Sequence, residues 1–471
     1  MNQVNKYVTI TLLIFFPITL SAQKEQNIQL PFDEFIKMVK QFHPIAKQAD
    51  FVVSNAIANK LSSKGGFDPK LFYDFQNKYY DSKSYYQLSN GGLQIPTWYG
   101  IDFKLGLENN VGQFVNPQNV SPNQGLSYAQ ISLPLLQGLL IDERRATLKK
   151  AMLFDKMSLF EKTIMLNDLI YQAGKSYWDW QLAYANLQVF QSALNIAQQR
   201  FNAVKRTVVL GDRPAIDTVE SYIQLQERLM SVQQSQVDFK EKTLWLSNYM
   251  WLENNLPVEL TDKSIPEKSS FVLEQKNILL SKLTNIDSLT DNHPEIKVYE
   301  FKRKQNEIDF QLKKEKLKPT LNFHYNPLGQ STNLNWLSLN NYKWGFGLGF
   351  PLLLRKERGE VKIAKIKIDN VVSEIANKKN ILINKVKLKQ FELENYKNQF
   401  TIYTNTVDSY EQLWLSEKQL FDTGESSLFM INNREMSYIN AQLKLNDIYT
   451  KNKKAIIELL NALGQLENLI L

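Results

Sequence analysis

Residues 342–350 read Tyr342, Lys343, Trp344, Gly345, Phe346, Gly347, Leu348, Gly349 and Phe350. Every even position is large and apolar, and every odd one is a lysine or a glycine. Side chains that alternate with a period of two belong to a β-strand, and this strand has two unlike faces. One face suits lipid, and the other is small and polar enough to border water. Pro351 ends the ladder because it has no N–H to donate. From Arg355 the pattern turns charged and helical. A lipid-faced strand that runs straight into a long helix leaves few folds open to the chain.

After residue 22 no stretch stays apolar for the roughly 20 residues that a membrane helix needs. Any crossing must then be made by strands, and strands cross lipid only as a closed barrel. Residues 1–22 read as a secretory signal: Lys6 is the positive start, residues 8–20 are a short apolar core, and Ser21 and Ala22 are the small residues before a cut. The chain is therefore expected to be exported. With no cysteine it has no disulfide, no thiolate metal site and no N-terminal lipid anchor. Its three histidines, His43, His293 and His324, are too scattered for a metal centre, so no metal or cofactor is expected. The net charge of +8 is spread along helical segments among Asp and Glu. Without a basic cluster it argues against a nucleic-acid partner.

The plan of the chain occurs twice. His293-Pro294-Glu295-Ile296-Lys297 echoes His43-Pro44-Ile45-Ala46-Lys47. In each half a helical stretch follows and ends at a proline, Pro69 or Pro319, that opens a strand 25 residues later (69 − 44 and 319 − 294). Pro351 matches Pro134, each closing a strand ahead of a charged helix start. Between residues 170 and 204 apolar positions step by threes and fours, as on a heptad-like seam. The stripe of Tyr177, Trp180, Tyr184 and Phe190 reads as packing along it. The long helical patterns break at Gly211 and Gly424, 77 and 73 residues after their prolines. This divides the chain into residues 1–22 (signal), 23–251 (first repeat, strands within about 69–133), 252–290 (a connector with a short helix) and 291–471 (second repeat, strands within about 319–350). Each repeat has too few strands to close a barrel, so the edges must pair with other chains.

The second strand of the first repeat is ambiguous. Alternation selects residues 99–108, with Tyr99, Ile101, Phe103, Leu105 and Leu107 on one face, whereas the repeat selects residues 126–133. Either the first repeat carries an extra hairpin or its strand is displaced. The repeat-based choice is adopted for the barrel, with residues 99–108 placed at an extended rim and the tyrosine-rich segment before them read as a loop. Aromatics near strand ends, Tyr79, Tyr99, Trp336, Tyr342 and Trp344, fit an interfacial belt.

Taken together, the junctions Ser132-Leu133-Pro134-Leu135 and Gly349-Phe350-Pro351-Leu352, with the tips at Gly211 and at Gly424-Glu425-Ser426-Ser427-Leu428, make the chain resemble the TolC-like outer-membrane efflux proteins. The resemblance implies a mixed α/β membrane protein: two repeats of long helical hairpins plus strands. Four strands per chain would close a trimeric 12-stranded barrel in the outer membrane, continued by an α-helical periplasmic tunnel. It implies a homotrimer that takes cargo from an inner-membrane transporter of RND, ABC or MFS type through a periplasmic adaptor. The duct does no chemistry, so the chain is not expected to be an enzyme. By the same resemblance, Asp217, Glu220, Met430 and Asn433 occupy the periplasmic aperture. Only the first repeat keeps carboxylates there, so attraction of cations is weakened. An adaptor would dock at Val209, Leu210, Gly211, Thr423, Gly424, Glu425 and Ser426. Tyr342, Trp344, Phe346, Leu348 and Phe350 would face lipid, and Pro134 and Pro351 would mark the strand–helix junctions. An exported coiled-coil scaffold without a barrel is the alternative; it accounts for the hairpins but not for the lipid-faced strands. The Gly345-x-Gly-x-Gly349 pattern sits inside a strand and lacks the glycine-to-helix turn of a phosphate loop.

Overall fold

In the computed structural model the described residues are 28–261, 263–267, 290–330 and 340–469. The signal, most of the connector and Trp336 lie outside them. The chain opens with β1 (Ile28–Leu30), α1 (Phe32–Phe42) and α2 (Pro44–Lys64). The sequence suggests one helix across residues 30–61, but Pro44 divides it. Having no N–H, Pro44 starts α2 at its first turn, and His43 caps it through Nδ1, which accepts from Ile45 N at 3.1 Å. The echo in the second repeat is structural: His293 Nδ1 accepts from Glu295 N at 3.2 Å and starts α5 (Pro294–Glu315).

Four strands follow α2: β2 (Lys70–Tyr80), β3 (Lys83–Pro96), β4 (Asp102–Val111) and β5 (Leu126–Pro134). The first helical hairpin is α3 (Glu143–Val209) and α4 (Ile216–Ser247). Three short strands come next: β6 (Trp251–Leu252), β7 (Leu256–Pro257) and β8 (Ser264–Pro266), the last pairing in parallel with β1. After α5 the second repeat gives β9 (Thr320–Gln330), β10 (Tyr342–Gly349), α6 (Arg355–Asp422) and α7 (Leu428–Ala462). At 1.5 Å per residue, the 67 residues of α3 make a rod of roughly 100 Å.

One antiparallel sheet runs β10-β9-β5-β4-β3-β2. This corrects the strand count. Residues 99–108 and 126–133 are not alternatives, because β4 and β5 both stand in the sheet and are neighbours. The tyrosine-rich segment read as a loop is strand β3. The chain therefore brings six strands to this sheet, where four were expected.

The main apolar core lies where α1, the middle of α3 and the end of α7 meet. Phe32, Phe35 and Ile36 pack there against Ile170, Tyr177, Trp178 and Trp180, with Ile456, Ile457 and Leu459 closing it. Two of the three polar aromatics are satisfied: Tyr177 Oη donates to Leu30 O at 2.8 Å, and Trp180 Nε1 donates to Thr243 Oγ1 at 3.0 Å. Tyr184 and Phe190 are half-buried on the same helix.

Candidate functional site

The sheet carries its alternation from strand to strand. Ile95, Phe103, Ile131, Tyr325 and Trp344 are successive cross-strand partners in one row. Leu133, Phe323 and Phe346 form another row on the same face. Trp344, Phe346 and Leu348 remain 58%, 67% and 67% exposed, an apolar surface that no part of the described chain covers. Tyr342 and Phe350 are also exposed. On the opposite face Asp102, Ser132, His324 and Gly345 are partners in one row, and Gln94, Lys104 and Gln130 in another. Pro134 ends β5, and Pro351 follows the end of β10.

Both helical hairpins turn in the same way. Gly211 and Gly424 have φ of +82° and +83°, where an L side chain is strained. Asp212 N donates back to Thr207 O at 3.0 Å, and Glu425 N to Leu420 O at 2.8 Å. Each is the six-to-one bond of a Schellman cap. Val209 and Leu210 are 81% and 69% exposed at the first tip. Thr423, Gly424 and Glu425 are exposed at the second, and Ser426 is half-buried.

The tips are also tied to each other. Arg213 Nη2 donates to Phe421 O at 3.2 Å, and its guanidinium lies 4.0 Å from the centre of the Phe421 ring. The same side chain pairs with Asp217 at 3.5 Å. Glu220 accepts from Asn432 Nδ2 at 3.2 Å. Both first-repeat carboxylates thus have partners within the chain. Met430 is half-buried and Asn433 exposed on the first turns of α7.

One turn farther along α7, Glu435 is buried between two arginines. It bonds Arg200 of α3 and lies 3.8 Å from Arg228 of α4, while Arg200 also donates to Asn432 at 2.7 Å. In the sequence Glu435 simply follows Arg434 on the helical stretch after the Gly424 tip. Its two partners lie more than 200 residues away, so no local spacing signals them.

Among the described residues no helix is long and apolar enough to cross a membrane. No protein-family model matches the sequence, and no curated protein does. Solved structures do match. The CmeC outer membrane channel of Campylobacter jejuni aligns over 99% of this chain and 94% of its own, with a TM-score of 0.63 and 13% identity. The chain has the fold of the TolC-like outer membrane channels. The open state of the MtrE outer membrane channel of Neisseria gonorrhoeae covers 98% of both chains at a TM-score of 0.66 and 12% identity. The outer membrane protein VceC of Vibrio cholerae covers 92% of this chain and 96% of its own, with a TM-score of 0.63 and 12% identity. At this identity the likeness to TolC-like channels is one of fold.

Proposed function

We propose that the chain is the outer membrane exit duct of a three-part export system. The observation that carries this reading is the join of sheet and helix. A sheet with one exposed apolar face and one polar face leads, through residues 135–142 and 350–354, into helices of 67 and 68 residues. An apolar sheet face has its natural solvent in lipid, and a helix pair of that length spans a periplasm. A water-soluble scaffold would leave Trp344, Phe346 and Leu348 uncovered in water.

In this reading three copies assemble. Their sheets close a barrel in the outer membrane, and the hairpins, one in each repeat on either side of residues 252–290, form the tunnel below it. Val209, Leu210, Gly211, Thr423, Gly424, Glu425 and Ser426 receive a periplasmic adaptor. An inner-membrane transporter of RND, ABC or MFS type supplies small molecules or proteins. Asp217, Glu220, Met430 and Asn433 border the entrance, and no covalent step is involved. Deleting the gene in its own cell is expected to raise sensitivity to a toxic compound or to stop export of a secreted protein, with complementation restoring either. A broad screen that finds neither contradicts the reading.

A further inference from the structure

The β3–β4 hairpin is an addition to the four strands that the repeat provides, and it could stand above a barrel as a rim or belong to the barrel wall. Cross-strand register decides between them. Phe103 pairs with Ile131, which pairs with Tyr325, which pairs with Trp344. Phe103 of β4 is thus in register with Trp344, and the apolar side chains of β4 lie on the same face as those of the most lipid-like strand of the sheet. Ile95 of β3 continues that row, while Leu71 of β2, Leu93 and Leu105 form a neighbouring one. At 14 and 10 residues, β3 and β4 are long enough for the roughly 9–11 residues of a membrane strand.

The two edges of the sheet are β2 and β10. Open edges are not tolerated in lipid, where their backbone groups find no water. Six antiparallel strands place β2 and β10 in opposite directions, so β2 of one copy and β10 of the next can continue an antiparallel ladder without a break. We propose that β3 and β4 are wall strands and that copies of this chain close edge to edge, β2 on β10, into a barrel of six strands per copy. The strand total depends on the trimer of the preceding reading: three copies give 6 × 3 = 18. Barrel diameter grows roughly linearly with strand number. The mouth is then about half again as wide as a 12-stranded one, and any constriction falls to the helical end.

Electron cryomicroscopy of the full mature protein in lipid nanodiscs counts the strands directly. The expected particle has threefold symmetry and an 18-stranded wall, with β2 beside the neighbour's β10. A threefold particle with 12 wall strands and the β3–β4 hairpin outside the wall overturns this inference and leaves the exit duct standing. Particles without a threefold barrel overturn both. Because the chain has no cysteine, single cysteines give a second readout in the assembled protein. Leu105→Cys is expected to lose labelling by a water-soluble maleimide, while Lys104→Cys on the opposite face keeps it. Equal labelling of the two removes the hairpin from the wall.

Discussion

The hydroxyl of Tyr128 on β5 donates to Asn90 Oδ1 on β3 at 2.9 Å, reaching over the strand that lies between them. Gly106 of β4 makes room for the crossing. A Cβ there would come within 2.6 Å of the Tyr128 ring. The bond fastens the added hairpin to a strand of the repeat. Tyr128→Phe is expected to keep the sheet but lower its stability by about 0.5–1.5 kcal/mol. Faster amide exchange in β3 than in β9 would report it. Gly106→Val is expected to be worse, because it displaces the ring itself. Unchanged exchange in both variants would mean that the crossing holds nothing.

Phe346 points from β10 to the exposed apolar face, 67% uncovered. Phe346→Arg is expected to hinder membrane assembly by about 2–4 kcal/mol if the residue lies near the midplane. Gly345→Arg, one residue along and on the polar face, is expected to assemble far better. The amount of folded protein in the outer membrane fraction distinguishes them, and equal assembly would count against the assigned facing.

Glu435 holds Arg200 and Arg228 together within the helical part. Removing it leaves the buried Arg228, and Arg200 beside it, without their shared partner. Glu435→Ala is expected to lower stability by about 3–5 kcal/mol, read as a drop in the thermal midpoint of the helical signal. Arg434→Ala, whose partner Glu417 is 3.7 Å away and whose side chain is 35% exposed, is expected to cost much less.

His43 and His293 cap α2 and α5 through an unprotonated Nδ1. Burial holds both rings below the ordinary 6.5. The unfolded chain then binds protons where the folded chain does not, so stability falls as pH drops below about 6.5. Asparagine caps without titrating. Replacing both histidines by Asn is expected to flatten stability against pH across that window, as followed by chemical denaturation. A slope equal to that of the native sequence would remove these caps as its source.

Much of the architecture was legible because it was written twice. The His-Pro starts, the junction prolines and the tip glycines each impose a backbone constraint with a local signature. Strand β10 was legible because Gly345, Gly347 and Gly349 alternate with large apolar residues. Strand β3 was not. On the face where Leu93 and Ile95 continue the apolar rows, its first half carries only Gln87, Ser89 and Gly91, and the apolar cover at Gly91 comes from Tyr73 of the neighbouring strand, whose ring lies 2.9 Å from where a Cβ would be. A stretch whose apolar surface is lent by its neighbour shows no alternation of its own, and Leu93 and Ile95 alone are too short a run to mark a strand. The partners of Glu220 and Glu435 were hidden for a related reason: Asn432 meets Glu220, and Arg200 meets Glu435, only when the two repeats pack together.

The central claim is that the chain conducts through a duct whose entrance lies at the tips. Arg213 and Asp217 offset each other, and Glu220 leaves one negative charge among the three. Replacing Asp217 and Glu220 together by Ala turns that balance from −1 to +1 at pH 7, freeing Arg213. Single-channel recording of the purified protein in planar lipid bilayers tests this most directly. The expected result is unitary conductance steps that favour cations, with the preference weakened or reversed in the Asp217→Ala, Glu220→Ala protein. Absence of unitary conductance in both proteins would contradict the duct, and steps of unchanged selectivity would remove these carboxylates from its entrance.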